Sequence, residues 1–240
     1  MRKKYINVTI FAIAMAFLET AVVIYLRELM YPEGFRFPLA PISPELALTE
    51  LLREASTLIM LIMIGVLAGK KLADRFAWFL YSFAIWDIFY YVFLKVMINW
   101  PDSLMTWDIL FLIPATWTGP VITPIIISLM MILLAYFILS FTNKGLSLKI
   151  KALEWTGLIV GSLLLILAFI WDYSAFILKE YKLVDILILP DKSGLFDYAT
   201  GYIPEKFPWL LFFIGYGIIL IFILLVYIRG GKKYRYRSSG

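Results

Sequence analysis

Six stretches of this chain are apolar over about 20 residues or more, the length of α-helix that crosses a hydrocarbon core of about 30 Å. They lie near residues 5–26, 48–68, 76–98, 120–141, 153–177 and 208–228. Lipid tails offer a backbone no hydrogen-bond partner, so a spanning segment must be a helix or a strand of a closed barrel. The runs are continuous rather than alternating, which selects helices. Of the 240 residues 62% are hydrophobic, against about 45–50% in soluble domains. No polar stretch between the runs is long enough for a separate soluble domain. The chain therefore reads as an all-α integral membrane protein, a single transmembrane domain over 1–240 with six transmembrane helices.

The basic residues set the expected orientation. Arg2, Lys3 and Lys4 precede the first run, and Lys70, Lys71 and Arg75 stand between the second and third. Lys144, Lys149 and Lys151 connect the fourth to the fifth, and Arg229, Lys232, Lys233, Arg235 and Arg237 follow the sixth. These are fourteen of the 22 Lys and Arg, and only Asp74 and Glu154 of the 17 acids keep them company. Connections rich in Lys and Arg stay in the cytoplasm. Both termini are thus expected there, in a cytoplasmic membrane of prokaryotic type. The basic tail is a topology determinant or a contact for anionic lipid rather than a nucleic-acid site. A rival reading makes the first run a cleavable signal with Ala14-Met15-Ala16 as the cut site, but the apolar run continues to Leu26, longer than a signal needs. Ser238-Ser239-Gly240 reads as a cloning remnant and is set aside.

The chain has no cysteine and no histidine. That removes disulfides, Cys or His metal sites, His-ligated haem and histidine as a general base or proton relay. A metal, if one binds, would be a hard cation on oxygen ligands, with Glu19, Glu54 and Asp87 as its candidate carboxylates. No glycine-rich phosphate loop, serine-nucleophile motif or metalloprotease motif is present.

The connections on the side away from the basic residues are the long ones. Residues 29–47 carry Pro32, Gly34, Pro38, Pro41 and Pro44, an extended, turn-rich loop. Residues 99–119 hold the short apolar piece Ile109–Ile113, and 178–207 hold Leu183–Leu189. Both are too short to span, and the first is read as a re-entrant or interfacial half-helix. Trp100, Trp107, Trp117, Tyr181, Tyr198, Tyr202 and Trp209 gather on this side, as an aromatic interfacial belt or a lid over an outer pocket. Gly157-x-x-x-Gly161, with Gly215 and Gly217, permits close helix packing, within the chain or between copies.

Acids inside apolar runs mark the candidate site. A charge at the bilayer centre costs about 2.5–3.5 kcal/mol on insertion scales, so such residues are paired or line a cavity. Glu19 lies in the first run, Asp87 in the third and Asp172 toward the end of the fifth. Glu50, Arg53, Glu54 and Thr57 follow i, i+3, i+4, i+7 spacing and share one helical face. Asp87, Tyr91 and Lys95 form a second stripe, and Asp108 sits in the connection beyond it. With cytoplasmic termini all of these fall at neighbouring depths toward the outer side. They predict one outward-facing acidic pocket, with Arg53 paired to Glu19 or Asp87 and Lys95 to an outer acid. Each has a plainer reading as a snorkelling interfacial residue, a helix-to-helix lock or a protonated acid bonded to a neighbour.

Three functions remain open at this point. The pocket would bind or transport a small cation or polar cationic solute; it would serve an enzyme acting on a lipid or lipid-linked substrate at the outer leaflet; or the chain would be an accessory subunit. In the last case the charges hold helices together and the partner is a membrane protein or a second copy. A continuous polar path to the cytoplasm separates the first from the second. In all three the bilayer is a partner and nucleic acid is not.

Overall fold

The structure, a computed structural model, describes residues 2–113, 115–145, 150–182 and 193–238, without the side chains of residues 193, 196 and 232–238. Among the described residues six helices are long and apolar enough to cross a membrane. They are α1 (Arg2–Met30), α2 (Pro44–Ala68), α3 (Leu72–Ile98), α4 (Ile122–Asn143), α5 (Ala152–Ile177) and α7 (Trp209–Ser238), the last with its apolar part at Trp209–Gly231. A short helix, α6 (Ser193–Thr200), precedes α7. Two strands, β1 (Trp107–Phe111) and β2 (Trp117–Pro120), form an antiparallel hairpin between α3 and α4.

Local chemistry sets the ends. Ser43 accepts a hydrogen bond from the Leu46 amide at 3.2 Å and Pro44 opens α2, a start that suits proline because the first amides of a helix have no partner. Asn99 closes α3 in the left-handed conformation at φ 54°. The α2–α3 turn is tight: a Cβ on Gly69 would stand 2.3 Å from the Arg75 backbone nitrogen.

The basic residues mark one end of the bundle. There the Lys4 ammonium donates to the Ala68 carbonyl at 2.5 Å, Thr142 donates to Asp74 at 2.8 Å and Arg229 donates to Glu154 at 2.7 Å. These contacts join the start of α1 to the end of α2, α3 to α4, and α5 to α7. The long connections and the hairpin lie at the opposite end.

Helix α3 is central and packs on α1, α2 and α4, whereas α5 packs on α7 and β2. Glycine explains how close that second pair comes. A Cβ on Gly215 would lie 2.9 Å from the Gly161 carbonyl, and one on Gly161 would strike Ile219 at 2.5 Å. A Cβ on Gly157 would collide with the Phe222 ring, while one on Gly217 would meet open space. The small residues at 157, 161 and 215 therefore serve packing inside the chain. Helix α4 joins the two groups through α7, around a core that includes Trp78, Ile138, Phe212 and Ile223. Leu18, Leu67, Leu163 and Leu210 point outward, more than half exposed, as a lipid-facing surface requires.

The half-helix expected over Ile109–Ile113 is a strand instead. Both forms fit a short apolar run, and what decides is the partner: Trp117–Pro120 returns alongside it. The hairpin folds back into the bundle. Phe111 stacks on Phe83 at 6.2 Å, about midway along α3, and Trp117 stacks on Phe169 at 5.6 Å with an interplanar angle of 11°. Non-helical backbone at this depth is tolerated only where protein or a cavity surrounds it. Helix α6 supplies a short helix in the last long connection, and Leu183–Leu189 lies outside the described residues.

Candidate functional site

A cavity of about 1000 Å³ lies between α1–α4 on one side and α5 and α7 on the other. That is the upper end of the range for ligand pockets, about 300–1000 Å³. Interiors are otherwise close-packed, with few voids larger than a water molecule. At its hairpin end the cavity is lined by Glu19, Arg27, Glu50, Arg53, Glu54, Asp87 and Asp108. Toward the basic end the lining becomes Phe76, Phe79, Leu80, Leu134, Leu158, Ile219 and Ile223. Phe76 lies eleven positions before Asp87 on α3, so the apolar part is about 16 Å deep at 1.5 Å per residue. Leu48 and Leu51 of α2 and Ser162 of α5 also line it and are exposed. The cavity thus has exposed edges on α2 and on α5.

The charged end is built from separate constellations. On α2, Arg53 Nε donates to Glu50 Oε2 at 2.8 Å, the i, i+3 neighbour. The same guanidinium reaches across to α1 through Nη1 and binds Glu19 Oε1 in a close ion pair. Thr57 lies 3.5 Å from the other Glu19 oxygen. One guanidinium thus holds two carboxylates. Of the two partners expected for Arg53, Glu19 is the one found; Asp87 is not bonded to it.

Glu54, one residue further along α2, has a different task. Its Oε1 and Oε2 accept the Leu112 amide at 3.1 and 2.9 Å. Leu112 directly follows β1 and needs an acceptor that no strand supplies. The carboxylate closes the hydrogen-bond accounting of the hairpin where it bends inside the bundle.

Arg27, near the end of α1, donates through Nη2 to Asp108 Oδ1 at 3.1 Å, and Tyr91 donates to Asp108 Oδ2 at 3.2 Å. The guanidinium lies between the Trp100 ring at 3.8 Å and the Phe35 ring at 4.5 Å. The sequence offers Arg27 to the pocket as a cation near the outer mouth of the first run, without naming its partner. Only the fold brings Asp108 to it.

Asp87 accepts a hydrogen bond from Ser128 of α4 at 2.8 Å. No cation among the described residues pairs with it, and its residue is 8% exposed. Ser128, too, escapes sequence reading, since a serine within an apolar helix is ordinary.

Two of the nominated residues stand away from the cavity. The Lys95 ammonium donates to the carbonyls of Asn99 and Pro101, at 3.3 and 3.0 Å, and closes the end of its own helix; it does not meet an outer acid. Asp172 accepts from the Tyr202 hydroxyl at 2.8 Å and from the Glu205 and Lys206 amides at 3.1 and 3.2 Å. It fastens the chain entering α7 to the end of α5. No group of three or more acids among the described residues is placed to hold a metal ion. Glu19, Glu54 and Asp87 turn instead to a guanidinium, an amide and a hydroxyl.

Comparison with known proteins finds no matching family model, no curated relative and no matching solved structure. Composition and six apolar helices define an integral membrane protein. Its function has to be argued from the cavity.

Proposed function

We propose that this protein takes an amphiphile, a lipid or lipid-linked molecule, from the outer leaflet and holds it within the membrane. The apolar chain would lie in the deep part of the cavity, and the polar end would meet the carboxylate and guanidinium groups. The observation that carries this reading is the change of lining along one cavity, charged at one end and apolar for about 16 Å beyond. A transported cation needs a polar path to the far side, and phenylalanine, leucine and isoleucine line the way there. The exposed lining residues Leu48, Leu51 and Ser162 belong to membrane-spanning helices, the side from which a lipid arrives. Glu19, Glu50 and Asp108 already have guanidinium partners, which lowers the attraction for a cationic solute. Asp87, bonded only to a hydroxyl, is the acid this reading leaves for proton transfer in an enzyme of this kind.

The test is the lipid that the purified protein retains. Ser162→Phe would place a ring in the apolar part at an exposed position, where the fold tolerates it. Wild type is expected to keep a lipid through purification, and S162F several-fold less, by mass spectrometry of the extract. Equal retention would sink the proposal.

The outer leaflet enters through the positive-inside rule. With cytoplasmic termini, Ser103→Cys should react with a membrane-impermeant maleimide added to intact cells, and Lys71→Cys should not. The chain has no cysteine, so no background needs removing. The opposite labelling pattern would move the charged end to the inner leaflet.

A further inference from the structure

The polar groups at the charged end say more about the ligand. Among the described residues three buried side-chain nitrogens have no hydrogen-bond partner: Arg27 Nη1, Trp86 Nε1 and Trp117 Nε1. All three residues line this cavity, and Arg27 and Trp86 are only 9% and 6% exposed. All three nitrogens are donors. A buried donor left unpaired costs about 1–3 kcal/mol, so the site calls for acceptor oxygens. The Asp87 carboxylate in the same lining receives only the Ser128 hydroxyl, at Oδ2, and calls for a donor.

Charge narrows the choice. The lining carries five carboxyl groups against two guanidinium groups. A phosphate would bring acceptors for Arg27 and the indoles, but it would add negative charge beside those acids and offer Asp87 no donor. An amine would satisfy Asp87 and leave the three nitrogens unpaired. Hydroxyl groups donate and accept at once and carry no charge. The walls agree with this: Phe111 lies between Trp86 and Trp117, with ring centroids 6.2 and 5.5 Å away, and gives apolar faces beside the polar groups.

Building on the amphiphile reading, we infer that the ligand's polar end is an uncharged hydroxyl-rich group, a sugar or another polyol, joined to an apolar chain. Trp86, Trp117 and Arg27 would donate to its oxygens, and Asp87 would accept from a hydroxyl.

The experiment uses the full chain in nanodiscs of phosphatidylcholine containing equal amounts of a monogalactosyl diacylglycerol, phosphatidylglycerol and a cationic trimethylammonium diacyl lipid. Lipids that stay bound after transfer to detergent are counted by native mass spectrometry. The galactolipid should be retained over the other two. Trp86→Phe, which keeps a ring and removes the N–H, should lower that retention about fivefold, the equivalent of one hydrogen bond of about 1 kcal/mol. Trp171→Phe, outside the cavity and exposed, should leave it unchanged. Preferential retention of phosphatidylglycerol or the cationic lipid overturns the polyol assignment and leaves the amphiphile reading standing. Unchanged galactolipid retention by W86F overturns the assignment as well. Retention of no lipid of any class overturns both.

Discussion

Arg53→Met is expected to lower the stability of the bundle by about 2–3 kcal/mol, less than the roughly 3–5 kcal/mol for removing one partner from a fully buried ion pair because the Arg53 side chain is 21% exposed. The effect is large because a single guanidinium serves two acids. Glu50 is its neighbour on α2 and Glu19 reaches it from α1, with side-chain exposures of 9% and 13%. Without Arg53 both carboxylates remain beside the cavity, close to each other and without a cation. Methionine keeps much of the volume and the apolar stem, so the loss reports charge rather than packing. Thermal unfolding followed by intrinsic tryptophan fluorescence measures it. The triple variant Arg53→Met, Glu19→Gln, Glu50→Gln should recover most of the loss, because removing all the charges leaves none stranded. If R53M melts like wild type, the triad contributes nothing to the fold. If the triple variant melts no higher than R53M, the loss comes from packing.

The six spans and the basic end of the bundle were legible because each rests on many residues at once. Twenty apolar residues in a row leave few alternatives, and the Lys and Arg clusters recur at every second connection. That Glu50 and Arg53 share a face was legible for a local reason, their i, i+3 spacing. The partners expected for Arg53 were Glu19 or Asp87, and its bond to Glu50 comes in addition to the one found with Glu19. Glu54 shows where such reasoning stops. Spacing placed it beside Arg53, but its carboxylate serves an amide 58 residues away, and that amide lacks a strand partner only because Trp107–Phe111 pairs with Trp117–Pro120 and ends before it. A five-residue apolar run has the same composition as strand or as half-helix, so the choice needed the returning strand. Lys95 fails for a different reason. A terminal lysine on a helix has unpaired carbonyls within reach, and the left-handed turn at Asn99 brings two of them to its ammonium before any acid. The partners Arg27–Asp108 and Asp87–Ser128 join segments 81 and 41 residues apart and have no signature in one sequence.

Glu54→Leu should release the hairpin while leaving the six helices in place. The Leu112 amide donates to both oxygens of Glu54, at 3.1 and 2.9 Å, and lies inside the bundle beyond the end of β1. Leu112 and Glu54 both line the cavity, and without the carboxylate no protein group is bonded to that amide. Leaving a buried amide without its acceptor costs about 1–3 kcal/mol, so amide exchange across 107–120 should quicken by about five- to a hundredfold. Exchange within α5 and α7 should change little, since their contact depends on the close approach at Gly161 and Gly215. Leucine is similar in size to glutamate and suits an apolar neighbourhood, which makes general unfolding a poor explanation for a local change. Glu54→Gln keeps a carbonyl oxygen for Leu112 and should restore most of the protection. Hydrogen exchange read by mass spectrometry separates the outcomes. Wild-type protection of 107–120 in E54L would mean that aromatic packing of Phe111 and Trp117 holds the hairpin by itself. Loss confined to this segment would make Glu54 the residue that keeps one wall of the cavity in position, and lipid retention should then fall with it.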